Sequence, residues 1–222
     1  MKKNMIFILT GLLCVTVSCS SDDSSETENM MMEEENTEAR TEIPDIAFER
    51  ALIELGVDDA EDGSVLTDAI SVITDLVVED KGITNLQGIE DFSMLEGLWL
   101  ADNQISSLDV TANTELLFVF VRNNGLENLN VSGLTSLEKI EANNNALENL
   151  DISDNNALQQ LTLNNNLLQS IDISNIPGTT QLNTFSIEDN PLDCIRVNEE
   201  QLNDIPAQWT KDMDDVYALD CN

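Results

Sequence analysis

The stretch Leu95-Glu96-Gly97-Leu98-Trp99-Leu100-Ala101-Asp102-Asn103-Gln104-Ile105-Ser106-Ser107-Leu108-Asp109-Val110 decides the fold, because its frame returns in the turns that follow. Leu95, Leu116, Leu137 and Leu158 stand 21 residues apart. Around each runs the frame Leu-x-x-Leu-x-Leu-x-x-Asn-x-Leu-x-x-Leu-Asp-Val/Ile; later turns read Leu137, Ile140, Ala142, Asn145, Leu147, Leu150, Asp151, Ile152 and Leu158, Leu161, Leu163, Asn166, Leu168, Ile171, Asp172, Ile173. A fifth turn, set off by a three-residue insertion around Ile176, Pro177 and Gly178, places Leu182, Phe185, Ile187, Asn190, Leu192, Ile195 and Val197 in the same frame. A looser turn precedes the set: Ile73, Leu76, Val78, Ile83 and Leu86 fit, with Lys81 where Asn is expected. A period of this length is the mark of a solenoid.

Within each turn the Leu-x-Leu alternation has period two, which predicts a strand with one face buried, so that one strand per turn builds a parallel sheet. Neighbouring turns then stack about 4.8 Å apart. A single turn buries too few side chains to offset the ordering of its backbone, so stacking must supply the rest. Asn103, Asn124, Asn145, Asn166 and Asn190 form a column where the chain bends out of the strand. An amide carries both donor and acceptor, so this column is expected to be a structural ladder that satisfies the backbone groups freed by the bend. A second column, Thr111, Ser132, Ser153 and Ser174, is expected to do similar local work on the far side. The third, Asp109, Asn130, Asp151 and Asp172, has two readings, solvated turn residues or a cation-binding stripe.

Positions three, five and seven of each turn are expected to point outward along the strand. They read Gly97, Trp99, Ala101; then Phe118, Phe120, Arg122; then Lys139, Glu141, Asn143; then Gln160, Thr162, Asn164. Trp99, Phe118, Phe120, Arg122, Lys139 and Glu141 are therefore the candidate ligand-binding residues, an aromatic patch that grades into amides and hydroxyls. Exposed rings of this kind mark contact surfaces. The alternative is that the N-terminal cap or a loop folds over them.

The frame resembles that of leucine-rich repeat proteins, in the 21-residue subtype found in surface lipoproteins of the Bacteroidota, over roughly residues 43–222. The run Ile43-Pro44-Asp45-Ile46-Ala47-Phe48-Glu49-Arg50-Ala51-Leu52 is similar to the helical N-terminal cap of such proteins, and Asn190-Pro191-Leu192-Asp193-Cys194-Ile195-Arg196-Val197 to their C-terminal exit. The resemblance implies an α/β solenoid, a right-handed superhelix with a parallel concave sheet, a short helical N-terminal cap and a C-terminal cap. It implies a binding role but no particular ligand.

Residues 1–18 read as a secretion signal, with Lys2 and Lys3 before the apolar run Ile6 to Val17, which is too short to span a bilayer comfortably. Thr16-Val17-Ser18-Cys19 resembles a relaxed lipobox, which implies cleavage before Cys19 and lipidation of that cysteine; simple secretion is the alternative. Ser20-Ser21-Asp22-Asp23-Ser24-Ser25-Glu26 resembles the acidic signal that exports such lipoproteins to the outer face of the outer membrane, or it is a generic polar tether. Residues 19–42 are expected to be a lipidated, disordered tether, 43–72 the N-terminal cap, 73–193 the repeats and 194–222 the C-terminal cap. The N-terminal cap is predicted to hold one helix from about Asp45 to Leu55, stopped by Gly56. With Cys14 in the signal and Cys19 lipidated, Cys194 and Cys221 remain to pair and pin the C-terminal cap, with Trp209 and Tyr217 covering the open end of the core.

Asp58-Asp59-Ala60-Glu61-Asp62-Gly63-Ser64-Val65 is similar to the first half of an EF-hand loop, but Ala60 and Ala69 stand where essential oxygens belong, so a plain turn is expected. The formal net charge is −34, with nine Lys and Arg against 43 Asp and Glu. A nucleic-acid partner is excluded by this balance, since phosphate binding needs clustered Lys and Arg. There is no histidine, which removes Ser-His, Cys-His and His general-base chemistry. No enzyme activity, cofactor or metal is expected. The sequence reads as a monomeric recognition or adhesion module whose concave face takes a protein partner, with a carbohydrate-binding or structural cell-envelope component as the alternative, and which meets the membrane only through its lipid anchor.

Overall fold

The computed structural model describes residues 38–178 and 181–221. The segment expected to be a signal, residues 1–18, the expected lipidation site Cys19 and residues 20–37 lie outside the described residues. Seven short strands, Asp75–Val77, Gly97–Trp99, Phe118–Phe120, Lys139–Glu141, Gln160–Thr162, Thr184–Ser186 and Trp209–Thr210, form one parallel sheet in chain order. The register is one strand per turn throughout. Leu76, Leu98, Val119, Ile140, Leu161, Phe185 and Trp209 lie opposite one another and fill the core row. The chain is thus a leucine-rich repeat solenoid of about six turns, and the leucine columns are the core.

On the opposite side the ladder is interrupted. Ser107–Asp109 pairs with Asn128–Asn130, and Ser170–Asp172 pairs with Cys194–Arg196 and then Tyr217–Ala218, but the intervening turn at Leu150 forms no strand.

Each Asn of the inner column ties its own turn to the one before. The Nδ2 of Asn166 donates to Leu163 O in its own turn and to Ala142 O in the preceding turn, both at 2.9 Å, while its Oδ1 accepts from Leu147 N–H at 3.2 Å. Asn145 repeats this with Ala142 O, Val121 O and Leu126 N–H, and Asn124 with Val121 O, Leu100 O and Ile105 N–H. Asn103 serves Leu100 O and Val78 O, and accepts from both Lys81 N–H and Ile83 N–H. Asn190 closes the series on Ile187 O, Leu163 O and Leu168 N–H. The residue before each Asn adopts the left-handed conformation: Asp102, Asn123, Asn144, Asn165 and Asp189 all have φ between 54° and 62°. Asp and Asn tolerate that region better than other side chains with a Cβ. Three of these form a second, exposed amide ladder, in which Asn123, Asn144 and Asn165 each donate to the equivalent oxygen one turn earlier, at 2.7, 2.6 and 2.9 Å.

The N-terminal cap extends further than composition indicates. Arg40–Glu42 is a strand paired antiparallel with Ser64–Leu66, inside the segment expected to be disordered tether. The physical reason lies in the side chains: Thr41 is buried, its hydroxyl donating to Asp91 Oδ2 at 2.5 Å, and Arg40 reaches Asp62 and Ser64. The cap helix, Ile46–Glu54, starts at Asp45, whose Oδ1 accepts from Ala47 and Phe48 N–H, and the chain leaves it through Gly56 at φ 74°. A second helical piece, Thr67–Ile70, was not anticipated; four residues give no periodicity to read. The Asp58–Val65 segment is held by buried Glu49, whose Oε1 accepts from the N–H groups of Asp62, Gly63 and Ser64.

At the other end Cys194 and Cys221 are disulfide-bonded, with Cα atoms 5.7 Å apart. Trp209 is buried against Phe185 and Tyr217, at centroid distances of 5.5 and 6.2 Å, and donates Nε1–H to Leu182 O at 2.8 Å.

Two measurements check this construction. Asn166→Ala leaves the Leu147 N–H without its acceptor and takes one of two amide donors from each of the Ala142 and Leu163 carbonyls, so urea denaturation should show a loss of about 2–3 kcal/mol. The exposed Asn165→Ala should cost only about 1 kcal/mol from left-handed strain; equal losses would mean that the inner column carries no special load. Intact-mass analysis after alkylation without reductant should show Cys194 and Cys221 unmodified, and replacing both by Ser should cost about 3–4 kcal/mol.

Candidate functional site

The outer face of the long sheet is organised in rows fixed by the strand register. One row runs Asp75, Gly97, Phe118, Lys139, Gln160, Thr184; the next runs Val77, Trp99, Phe120, Glu141, Thr162, Ser186, Thr210. Trp99, Phe118, Phe120, Arg122, Lys139 and Glu141 are all half-buried and lie on this face. The three rings form a continuous platform: Trp99 stacks on Phe120 at 5.6 Å and Phe120 on Phe118 at 6.5 Å, with interplanar angles of 27° and 21°. Lys139 Nζ sits 5.3 Å from the centre of the Phe118 ring. Val77, 50% exposed, extends the platform by one turn. It belongs to the looser first turn, where the frame is too weak to flag an exposed position.

Two positions expected to point into solvent do not. Gly97 is buried because the Trp99 indole folds back along its own strand and covers it; an added Cβ there would run into Cζ3 and Cη2 of the ring. Ala101 is 1% exposed because larger neighbours overhang it. It floors a cavity of about 170 Å³ lined also by Glu79, Trp99, Phe120, Arg122 and Glu141. Phe48 of the cap packs into the core against Phe92, at 6.2 Å.

Charge on the face is unevenly paired. Arg40, Arg50, Lys81 and Arg196 each hold a carboxylate at 2.6–3.1 Å. Arg122 instead lies between Asp102 and Glu141 at 3.8 and 3.7 Å, too far for hydrogen bonds, and its Nε–H is buried without a partner.

The polar half of the face is largely self-satisfied. Asn143 donates to Thr162 Oγ1 and accepts from Asn164 N–H; Asn164 Oδ1 accepts from Ser186 Oγ and Glu188 N–H; Ser186 and Thr210 share a hydrogen bond of 2.6 Å. These amides serve the backbone, a role that the sequence frame does not reveal because they occupy outward positions.

On the far side, Asp109, Asn130, Asp151 and Asp172 accept from the N–H two residues on, and Asp109, Asn130 and Asp172 also from the hydroxyl of Thr111, Ser132 and Ser174. Backbone hydrogen bonds from Thr111 and Ser153 hold the Asp109 and Asp151 carboxyls below the usual range. At Asp172 desolvation opposes ionisation, but the Ser174 hydrogen bonds and the Arg196 charge outweigh it. Among the described residues no group of three or more His, Cys, Asp or Glu is placed to hold a metal ion.

Comparison with known proteins places the fold. No protein-family model matches the sequence, and no curated protein matches it. Among solved structures, the functional domain of InlJ from Listeria monocytogenes, described as including a cysteine ladder, superposes with a TM-score of 0.61 at 25% identity, over 72% of this chain and 38% of that one. The match therefore spans well under half the length of that solved domain. Internalin C2 and the internalin inlF, both from Listeria monocytogenes, match over 77% and 76% of this chain at 20% and 18% identity, with TM-scores of 0.37 and 0.41. Unlike a cysteine-ladder protein, this chain has no cysteine between Cys19 and Cys194; its ladders are built from asparagine. Among the described residues no helix is long and apolar enough to cross a membrane.

The far-side carboxylates make a pH prediction. Because their folded-state pKa values are depressed, the stability they add is complete above their unfolded pKa of about 3.9 and is lost as pH falls through the folded values. Stability measured between pH 6 and pH 2 should fall below about pH 4. The triple variant Asp109→Asn, Asp151→Asn, Asp172→Asn keeps the acceptor oxygen, as Asn130 does naturally, and should show a shallower acid limb. An equally steep limb would assign the effect to other groups.

Proposed function

We propose that this chain is a surface-anchored recognition module that binds a protein partner through the Trp99, Phe118 and Phe120 platform, with Arg122, Lys139 and Glu141 at its rim. The single observation that carries this reading is the exposed ring platform itself. Three stacked aromatic side chains plus Val77 on a solenoid face amount to an unpartnered apolar surface in a chain otherwise dominated by carboxylates. Aromatic residues and Arg are the side chains that dominate binding energy at protein interfaces. The fold shared with the InlJ domain is in keeping with a protein-interaction module.

A glycan reading needs free amides and hydroxyls beside the rings to orient the sugar. Asn143, Thr162 and Ser186 instead spend their hydrogen bonds on one another and on the backbone, which favours a protein partner. With Cys19 lipidated after removal of residues 1–18, the acidic segment that follows would hold the repeat domain off the outer face of the outer membrane.

Parallel protein and glycan arrays probed with the full chain and with Trp99→Ala/Phe120→Ala test the reading. Both rings are half-exposed, so the variant should keep its circular dichroism and cooperative unfolding. Protein signals present with the native chain and lost with the variant are the expected result. Ring-dependent signals on the glycan array, or none on either array, would overturn it.

A further inference from the structure

We infer that the partner presents a lysine or arginine side chain to the ring platform, seated over Ala101 against Trp99 and Phe120 and between the carboxylates of Glu79 and Glu141. The inference rests on the protein-binding reading above and names the chemistry of what is bound.

Four observations converge on a cation. First, the cavity over Ala101 has two ring side walls and two acidic ones, Glu79 and Glu141, with Arg122 at one end. The methyl of Ala101 leaves room where the equivalent position one turn on is filled by Arg122. Second, the platform already accepts a cation from within the chain, since Lys139 lies over Phe118, whereas among the described residues no internal cation lies over Trp99 or Phe120. Third, the carboxylates at the open end of the platform are not neutralised from within the described residues, although Asp75 Oδ2 accepts from the Thr74 hydroxyl at 2.9 Å. Among the described residues neither Asp75 nor Glu79 lies within ion-pair distance of a Lys or Arg, although four of the chain's other cations hold a carboxylate closely. Fourth, a chain of net charge −34 steers cationic groups toward itself at long range.

An acidic group is disfavoured at the same place. Arg122 already faces Asp102 and Glu141, so an incoming carboxylate would be the third around one guanidinium. A lysine or arginine also suits the mixed lining, because its methylene stem can lie along the rings while its head reaches the carboxylates. Gly97 is a positioning residue here, since it lets the indole lie flat against the strand.

The experiment is a selection of a random peptide library displayed on phage against the immobilised full chain, with counter-selection on Trp99→Ala/Phe120→Ala. Peptides that depend on the rings should be enriched in Lys or Arg next to an apolar residue. Their affinity should fall about fivefold or more for Glu79→Gln/Glu141→Gln, and fall with added salt. The distant pair Glu115→Gln/Glu199→Gln should change it little, which separates the local seat from general attraction to an acidic protein. Ring-dependent peptides without basic enrichment, or with equal losses for the two Gln pairs, would overturn the cation inference while leaving the platform as a binding surface. Failure to recover any ring-dependent peptide would count against both.

Discussion

The structure depends on how each turn satisfies its backbone at the point where the strand ends. A strand in a parallel ladder has its N–H and C=O groups paired by its neighbours, but the bend that follows turns those groups inward, away from water and out of the ladder. A buried group left there without a partner costs about 1–3 kcal/mol, and the problem recurs at every turn. Asparagine solves it because one side chain donates twice and accepts once, and because it does so across two turns. Asn103 to Asn190 therefore join consecutive repeats as well as satisfying each one. The left-handed residue just before each Asn turns the chain so that the amide can face inward. Leucine provides the apolar volume, but asparagine makes the stacking directional.

That division of labour leaves the outer face free to vary. Because core row, Asn column and left-handed column carry the fold, the residues between them can take any character without disturbing the repeat. Along the face the composition changes from rings and unpaired charge to self-bonded amides and hydroxyls within a few strands. The amide end is bound into the scaffold, whereas the aromatic end has ring faces, a shallow cavity and loosely held charge. The proposed binding surface and a stabilising lattice thus sit side by side on one sheet, separated by about one turn near Lys139 and Glu141.

Much of this is legible in the sequence, for a physical reason: a solenoid repeats one environment, so each column is read several times over. The leucine frame, the Asn positions, the disulfide between Cys194 and Cys221 and the places of Trp99, Phe118 and Phe120 all follow from spacing or from cysteine count. What escapes is whatever occurs once or depends on a neighbour's conformation. Arg40–Glu42 joins the cap through Thr41 and Arg40, in a segment whose composition reads as tether. Glu49 is a buried carboxylate serving three N–H groups of a loop 13–15 residues away, with no local pattern to announce it. Gly97 counts as an outward position by frame, yet the rotamer of Trp99 buries it. Asn143 and Asn164 look like ligand-facing amides until their backbone partners are seen.

Hydrogen exchange tests the central role of the Asn column most directly. The amide protons of Ile105, Leu126, Leu147 and Leu168 point at the Oδ1 of Asn124, Asn145, Asn166 and Asn190 rather than at another backbone group. If the column locks the turns together, Leu126 and Leu147, in the middle of the stack, should exchange only through global unfolding, as slowly as the backbone-paired amide of Val121, which donates to Glu141 O. Exchange of Leu126 and Leu147 by local opening, while Val121 stays protected to the global limit, would contradict the account.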